Sequence, residues 1–435
     1  MGLPGNNSPN ESAIIPETGI FAAIRNNLLM ICLFACVAAT ISWVASGAVS
    51  GAGLESRDMI DFWFNADCPE VFEQMTDMTS REHSRVRRHP FFSLLTTPIV
   101  VGLAKRLPIT HETIIRIYLA ICSALSGTFV CLIFLRILKD AIAASVWTCL
   151  FLTSASFMFW CCVAETHCFA MPTIILPFVV LAYANPLHPK QYLFTFSTLI
   201  ALSITVTNVM SGAICTVLGL TPRRAIESLK SVICLSMFGV VLQITLVNPT
   251  KTGIFFINNP KSEMIWVDKP EPAGVFSKAR IIVLGSSIIP QAERWAELPE
   301  VSKTPEFSNY LHPILDVQFS PFTFVGKVGV GVWLVLLGLA AYAGVTHLAT
   351  RNKLFIAITS VALLQLLFHS AYGPSTFVYA GNYGPIFILL SAFAYTTRFK
   401  KIALWSAVGL ICLQAYNNVG QFILSVDALK QVGMS

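Results

Sequence analysis

The residues best suited to chemistry are concentrated in the segment 51–90, which is rich in carboxylates and then in arginines. Only 12% of the 435 residues are charged and 55% are hydrophobic, so this segment stands out. Three aspartates, Asp58, Asp61 and Asp67, precede the basic run. A carboxylate can accept the proton of an attacking hydroxyl or bind a metal ion. We therefore predict a catalytic aspartate here, with Asp67 ranked ahead of Asp61 and Asp58.

Asp67 lies within the sequence Phe-Trp-Phe-Asn-Ala-Asp-Cys-Pro-Glu, residues 62–70. The three aromatic residues at its start are typical of the lipid headgroup region, where they would hold the carboxylate near the bilayer surface. Alternatively, Asp67 caps a helix that begins at Pro69, because Asp before Pro-Glu is a common helix start signal. The sequence leaves both interpretations open.

Four basic residues, Arg85, Arg87, Arg88 and His89, immediately precede Pro90. Guanidinium groups bind phosphate in a forked geometry. Attraction to anionic lipid headgroups would explain the same residues without any substrate. The density of the run favours a substrate phosphate. Carboxylates followed by arginines at a membrane edge are what an enzyme needs to handle a lipid-linked phosphate.

Polar residues at the ends of apolar spans form a second set of candidates for substrate binding. They are Glu165, His167, Asn208, His369, Tyr372 and Tyr379. Charged and imidazole groups at a span end often face a water-filled cavity, and amides beside aromatic rings suit a sugar. Alternatively, Glu165-Thr-His167 is an interfacial polar turn, Asn208 satisfies helix ends, and the tyrosines mark the membrane border.

The composition indicates a polytopic membrane protein, because soluble domains carry about 25% charged residues. Apolar runs long enough to cross about 30 Å of hydrocarbon recur along the chain. We predict about eleven transmembrane helices, at 27–48, 112–135, 141–162, 169–185, 192–208, 209–221, 231–248, 324–347, 354–371, 383–397 and 402–424. No cleavable signal peptide is expected at the start of the chain.

The twelve cysteines fall mostly inside these apolar runs, where cysteine behaves as a small apolar residue. They show no zinc-ligand spacing, so no metal-ligating residue is predicted. The net charge of +6 says little about partners, since basic residues in membrane proteins mainly set orientation. No nucleic-acid partner is expected.

Orientation follows from the short apolar segment 91–103, which is too short for a comfortable helical span and fits a membrane-lying helix better. If this segment does not cross, all the predicted cytoplasmic turns are basic, as the positive-inside rule requires. These turns carry Arg136/Lys139, His188/Lys190, Arg223/Arg224/Lys230, Arg351/Lys353 and Arg398/Lys400/Lys401. The segment 49–111 is then one long external loop.

The predicted organisation has four parts. They are a cytoplasmic tail (1–26), an N-terminal transmembrane module (27–248) with the catalytic external loop 49–111, a small external cap (249–323) and a C-terminal transmembrane module (324–435). Nine prolines in the stretch 249–321 break up long helices there. One apolar run in it, 280–289, is expected to be a strand or a half-buried helix.

Over residues 27–210 the pattern resembles the GT-C superfamily of integral-membrane glycosyltransferases. The likeness rests on an early acidic residue in the first external loop (Asp67, Asp61 or Asp58), on Arg88-His89-Pro90-Phe-Phe at the start of a juxtamembrane helix, and on Glu165 with His167 after a later span. The second motif is Glu-x-His rather than a pair of acids. The part outside the membrane is smaller than the C-terminal domain of oligosaccharyltransferases.

The resemblance implies a GT-C-like helix bundle with juxtamembrane helices in the first external loop. It implies an inverting enzyme that moves a sugar from a polyprenyl-phosphate donor to a glycan, lipid or protein acceptor at the external face. By the same likeness, an aspartate is the general base, the arginines hold the donor phosphate, and the location is the bacterial plasma membrane with a periplasmic active site. No cofactor is assigned, and dependence on a divalent cation is left open.

Two other classes would use a similar set of spans. An O-antigen polymerase or ligase would rely on arginines in large external loops, and Arg280 and Arg294 leave that open. A lipid or sugar transporter should show ionisable residues in mid-span and broken, symmetric helices. Charges in mid-span are nearly absent from this sequence, which counts against transport.

Overall fold

The computed structural model describes residues 19–247, 272–295, 314–373 and 375–433. The side chains of two site candidates, Asp58 and Arg87, lie outside the described residues. So does most of the predicted external cap, including its stretches 248–271 and 296–313.

The described chain is almost entirely helical, with one two-stranded antiparallel sheet. Its helices are α1 Ile20–Ser50, α2 Cys68–Thr76, α3 Phe92–Arg106, α4 His111–Leu138, α5 Ala141–Leu152, α6 Ala155–Met158, α7 Thr166–Tyr183, α8 Gln191–Ile204, α9 Val209–Gly219, α10 Pro222–Leu246, α11 Pro272–Arg280, α12 Phe324–Ala349, α13 Lys353–Ala371, α14 Ala380–Ser391 and α15 Lys400–Gly433. The strands are β1 Glu293–Trp295 and β2 Ile314–Asp316.

Eight helices of the described residues are long and apolar enough to cross a membrane. They are α1, α4, α7, α10, α12, α13, α15 and the segment 377–396, which contains α14. This is the all-α architecture that the hydropathy predicts. Three of the eleven predicted spans correspond to the shorter apolar helices α5, α8 and α9, so the number eleven stays a prediction.

The bundle has two chemically different ends. Arg136, Lys139, Lys353 and Lys400 surround one cavity at what we term the basic end. Glu165 precedes α7 at the other end, the carboxylate end, whereas Leu181 near the last turn of α7 lines the basic cavity. Eighteen residues of α7 span about 27 Å at 1.5 Å per residue, close to the hydrocarbon thickness of a bilayer.

Local sequence signals explain how the chain turns at the basic end. Helix α4 ends at Lys139, which adopts a left-handed backbone conformation with φ 54°. The next residue, Asp140, caps α5 by accepting hydrogen bonds from the amides of Ile142 (2.9 Å) and Ala143 (3.1 Å). A cap of this kind is worth about 1 kcal/mol. The result is a tight antiparallel connection that returns the chain to the carboxylate end.

Helix α3 begins and ends at the carboxylate end. The amide of Phe91 donates to the carbonyl of Ser203 (2.8 Å), and the helix is followed at once by the start of α4. Its side chains Thr97 and Ser93 bond to Gln74 of α2. The opposite side exposes an apolar row at intervals of four residues, made of Leu95, Ile99, Leu103 and Leu107. Such a row suits contact with lipid.

The apolar run 280–289 is not a strand. It continues α11 through a π-helical turn, Ile281–Gly285, and its four isoleucines are completely buried. The amide of Ile289 donates to Asn418 of α15 (3.1 Å), and the carbonyl of Ser287 accepts from Ala155 of α6 (3.1 Å). This part of the predicted cap is therefore inserted into the helix bundle, because its side chains are too apolar to remain at the surface.

The topology can be tested by labelling. Cysteines introduced at Lys105 and Arg106 at the end of α3 should react with an impermeant thiol reagent added outside intact cells. Lys401→Cys at the basic end should react only after the membrane is permeabilised. Labelling of the native chain measures the background reaction with the reagent, because its exposed cysteines lie on apolar helices. Protection of both positions in α3 would contradict this orientation.

Candidate active site

The loop that carries the aspartates has an unusual backbone. Asp61 (φ 61°), Phe64 (φ 52°) and Asn65 (φ 64°) all adopt left-handed conformations. Asp and Asn tolerate this region, but a phenylalanine there is strained by about 1–3 kcal/mol. Such strain persists only where the surrounding packing over-determines the backbone.

The packing of the aromatic residues 62–64 holds this backbone in its strained conformation. Phe62, Trp63 and Phe64 were expected in the lipid headgroup region, but all three are buried inside the protein. The indole of Trp63 donates to the carbonyl of Phe159 (3.2 Å), and the carbonyl of Phe62 accepts from the amide of Leu315 in β2 (2.9 Å). The expectation is wrong because these rings fill the protein core and do not face lipid.

Asp67 directly precedes α2, which begins at Cys68 rather than Pro69. Within the described chain its carboxylate makes no capping bond to the helix. Instead, Oδ2 accepts a hydrogen bond from Nη2 of Arg85. Asp67 therefore occupies the N-cap position that the alternative interpretation gives it, but its carboxylate does not cap the helix.

Arg85 connects two carboxylates of the loop. Nη2 is paired with Asp67, and Nη1 lies 2.5 Å from Oε2 of Glu70. The arginine side chain is only 13% exposed. Arg85 was predicted to bind a substrate phosphate, but here its guanidinium is engaged by protein carboxylates. Glu70 was not among the predicted site residues; its spacing of fifteen residues from Arg85 carries no recognisable signal.

Glu165 joins the loop to the helix bundle. Its Oε2 accepts from the amide of Asp67 (3.0 Å), while Oε1 accepts from the amide and the hydroxyl of Thr166, both at 2.7 Å. The side chain is buried and also caps α7. Glu165, which was predicted as a substrate-binding residue, thus lies against the loop that carries Asp67.

The acids of this cluster differ in protonation. Burial raises the pKa of Asp67, but the charge and the hydrogen bond of Arg85, together with the charge of Arg88, outweigh it and hold the pKa below its ordinary value. Burial followed by the charge of Asp67 raises the pKa of Asp61 to about 8 and that of Glu70 to about 7. The same two causes raise the pKa of Glu165. Asp67 is thus the most acidic of the four.

His89 is buried and does not act as a cation. Its Nδ1 donates to the carbonyl of Ile204 (2.8 Å), which leaves Nε2 as an acceptor. Burial, and then the charge of Arg85, hold the pKa of His89 well below its usual value. Its neighbour Arg88 is half-buried, and the carbonyl of Arg88 accepts from the amide of Val206 (3.1 Å).

His167 begins a chain of polar contacts away from Glu165. Its Nδ1 lies 3.3 Å from the amide nitrogen of Asn382, and Oδ1 of Asn382 accepts from Asn208 (3.4 Å). All three side chains are buried. Helix α14 approaches this closely because Gly381 packs against His167, where a Cβ would lie 3.0 Å from the histidine. The structure thus brings together two predicted residues and adds Asn382.

Aromatic rings border the same region. Tyr379 lies with its ring centroid 4.5 Å from that of His369 in a stacked arrangement, and 5.4 Å from that of His167. Tyr372 is more distant, at 6.2 Å from Tyr379. Trp160, which was not predicted, contacts His167 edge-on at 5.7 Å. The predicted residues of the second set therefore share one neighbourhood.

Several buried polar atoms in this neighbourhood have no hydrogen-bond partner among the described residues. They are Nε of Arg85, Nε1 of Trp160, Oγ1 of Thr205, Oδ1 of Asn208 and both ring nitrogens of His369. Buried polar groups are normally paired with protein or with water. These atoms are available to bond to water or to a polar ligand.

A segment far along the chain completes the site. Oδ1 of Asp316 accepts from the hydroxyl of Ser375 (3.2 Å), and Oε1 of Gln318 accepts from the amide (3.2 Å) and the hydroxyl (2.9 Å) of Thr376. These bonds hold the turn that carries Tyr379. Sequence analysis missed Asp316 and Gln318, because a short polar pair in a proline-rich stretch has no distinctive pattern.

Among the residues that the structure describes, no group of three or more His, Cys, Asp or Glu side chains is arranged to hold a metal ion. The carboxylates of the cluster point to Arg85 and to backbone amides instead. No protein-family model matches the sequence, and comparison with curated proteins gives no significant match.

Removal of Arg85 tests whether it holds the cluster together. Arg85→Gln leaves Asp67 and Glu70 facing each other without a cation. Breaking a fully buried charge pair costs about 3–5 kcal/mol; since these carboxylates are about a third exposed, 32% and 28%, we expect a loss of about 1–3 kcal/mol. Thermal unfolding of the purified protein measures it.

Arg57→Gln is the matched control. Arg57 pairs with Glu73 in the same loop, but its side chain is 67% exposed. Exposed pairs contribute little, so this variant should unfold at the native temperature. Equal unfolding temperatures for Arg85→Gln and Arg57→Gln would show that Arg85 has no organising role.

Asp61 should make stability depend on pH. The folded chain retains its proton up to about pH 8, whereas the unfolded chain releases it near the ordinary value of 3.8. At pH values between these two, the chain therefore takes up a proton when it folds. The free energy of unfolding falls as the pH rises through this range. Asp61→Asn cannot ionise, and Asn keeps the left-handed backbone. This variant should be more stable than the native chain at pH 8.

Unfolding temperatures at pH 5 and pH 8 measure this difference, with Asp427→Asn in the exposed part of α15 as control. The native chain and the control should lose stability in parallel, and Asp61→Asn should lose less. If all three lose the same amount, then Asp61 does not retain its proton in the folded protein.

Proposed function

We propose that this chain is a membrane glycosyltransferase that moves a sugar from a polyprenyl-phosphate carrier to an acceptor hydroxyl. The observation that carries the proposal is the carboxylate of Asp67, paired with Arg85, in the same neighbourhood as unpartnered buried polar atoms and aromatic rings at one end of an apolar helix bundle. Aromatic faces with fixed donors and acceptors suit a sugar, and apolar helices suit its lipid carrier.

The exposed apolar row of α3 supports access for a lipid-linked donor. Leu95, Ile99, Leu103 and Leu107 face away from the protein, while the opposite side of α3 packs on α2 and, through it, on the loop of Asp67. A helix of this kind would lie at the membrane surface beside the site. The polyprenyl chain would then remain in the bilayer while its phosphate reaches the cluster.

The chemical step needs one proton acceptor and one leaving group. The acceptor oxygen attacks the anomeric carbon, its proton passes to the carboxylate of Asp67, and the bond from that carbon to the phosphate oxygen breaks. The electron pair of this bond leaves with the lipid phosphate, and the single displacement inverts the anomeric carbon. Because phosphate is already a good leaving group, the protein mainly positions the reactants and balances charge.

The engagement of Arg85 changes which cation would meet the phosphate. Arg85 is held by Asp67 and Glu70, so its role here is to position the base. Arg88 belongs to the same basic run, and its charge acts on both Asp67 and Tyr379. We assign the donor phosphate to Arg88, with Arg87 as the neighbouring candidate.

The remaining polar residues would bind the sugar or the acceptor. His167, Asn208 and Asn382 form a hydrogen-bonded row, and His369 and Tyr379 form a stacked pair beside it. The free acceptor atom of Asn208 and the free ring nitrogens of His369 are available for hydroxyl groups. Tyr372 lies at the edge of this group.

The position of the charges favours an enzyme over a transporter. Asp67, Glu70, Arg85 and Glu165 all precede or lie outside the long apolar helices, at one end of the bundle. Transporters place their coupling sites near the middle of the membrane, between broken helices.

The direct test uses purified protein in proteoliposomes with a panel of polyprenyl-phosphate sugars. Release of lipid phosphate in the presence of an acceptor would support the proposal and would identify the sugar. Uptake of the intact sugar lipid into the opposite leaflet without release of lipid phosphate would indicate transport instead.

The variant Asp67→Asn tests whether Asp67 is the general base. Loss of a general base reduces the rate by about 10²–10⁴-fold, and we expect sugar transfer to fall by that amount while the protein stays folded and inserted. Glu112→Gln, an exposed carboxylate in the first turn of α4, should transfer at the native rate. Native transfer rates in both Asp67→Asn and Asp61→Asn would remove the assignment.

A further inference from the structure

The basic end of the bundle contains a cavity of about 640 Å³ that takes no part in the proposed chemistry. It lies at the far end of α7 from Glu165 and at the far end of α13 from His369. Nineteen residues of α13 span about 28 Å. The cavity and the candidate active site are therefore separated by roughly the thickness of a bilayer core.

Four cations from three different helix ends surround this cavity. Arg136 and Lys139 come from the end of α4, Lys353 from the start of α13 and Lys400 from the start of α15. Within the described residues, none of the four lies within 4 Å of a carboxylate. Simple hairpin turns that only set orientation have no need to converge on a cavity.

The carboxylate of the nearby residue Asp140 already accepts hydrogen bonds from within the protein. Its Oδ1 accepts from two backbone amides at the start of α5, and its Oδ2 accepts from the hydroxyl of Tyr395 (2.8 Å). Asp140 therefore offsets part of the positive charge without pairing directly with the lysines. The cavity retains an excess of cations over carboxylates.

Hydrogen bonds fix part of the lining of the cavity. The amide of Asn352 lies 3.2 Å from Nδ1 of His347, and Nε2 of His347 lies 2.8 Å from the hydroxyl of Thr396. That hydroxyl donates to the carbonyl of Phe393 (2.7 Å). These contacts hold the ring of His347 in one orientation. The cavity thus combines four exposed cations with a hydrogen-bonded polar side in its lining.

We propose that this cavity binds a phosphate-bearing headgroup. Arginine and lysine are the side chains that bind phosphate, and basic pockets between transmembrane helices accommodate anionic lipid headgroups. The volume lies within the range of small-ligand sites, about 300–1,000 Å³. Ile142, Leu348 and Ile402, which are close in sequence to lining residues, are exposed apolar side chains that suit contact with acyl chains. The same chemistry would also accept a soluble phosphorylated compound.

The test uses the purified full-length chain and native mass spectrometry with two ligand arms. One arm adds cardiolipin or phosphatidylglycerol, with phosphatidylcholine as the zwitterionic reference. The other arm adds glycerol phosphate or inorganic phosphate. Retention of the anionic lipids alone identifies a lipid headgroup, and retention of the soluble phosphates identifies a soluble ligand. Failure of the native chain to retain any of these anions would overturn the proposal.

The variant Arg136→Gln/Lys353→Gln/Lys400→Gln should bind the retained anion at least about tenfold more weakly than the native chain. Its control, Arg223→Gln/Arg224→Gln/Lys230→Gln, removes the same charge from the start of α10, outside the cavity. The control should bind as the native chain does. The double variant Lys353→Gln/Lys400→Gln serves if the triple variant does not fold. Equal weakening in the cavity variants and the control would show only general charge attraction and would contradict the proposal.

Discussion

The pairing of Asp67 with Arg85 is the interaction on which the carboxylate end of this protein depends. Four acids, Asp61, Asp67, Glu70 and Glu165, lie close together at the end of an apolar bundle, where burial opposes their ionisation. One arginine held between two of them allows Asp67 to stay ionised while its neighbours become harder to deprotonate. Environments that push pKa values apart in this way are typical of catalytic carboxylates.

The rest of the structure brings this pair to its place. Glu165 binds the backbone of Asp67 and caps α7, so that the loop is joined directly to a long apolar helix. The buried Trp63 and the contact of β2 with Phe62 fix the strained turn before it. The turn with Tyr379 is held by Asp316 and Gln318. Three separate parts of the chain must therefore fold together before the site exists.

The sequence predicts the helices well because hydropathy, caps and basic turns are local signals. Glu165, His167, His369 and Tyr379 lie at helix ends, where hydropathy puts them, but the contacts that bring them together were not predicted. The engagement of Arg85 could not be predicted, since it depends on the fold of the loop over fifteen to eighteen residues. The buried aromatic residues 62–64 were misassigned because a ring suited to the headgroup region is equally suited to a core.

The central claim is that Asp67 is ionised in the folded protein at neutral pH. Infrared difference spectra between the native chain and Asp67→Asn measure this directly, because ionised and protonated carboxyl groups absorb at different frequencies. At pH 6 the substitution should remove a carboxylate band. Removal of a protonated carboxyl band instead would show that Arg85 does not hold the charge on Asp67, and the proposed general base would then be lost.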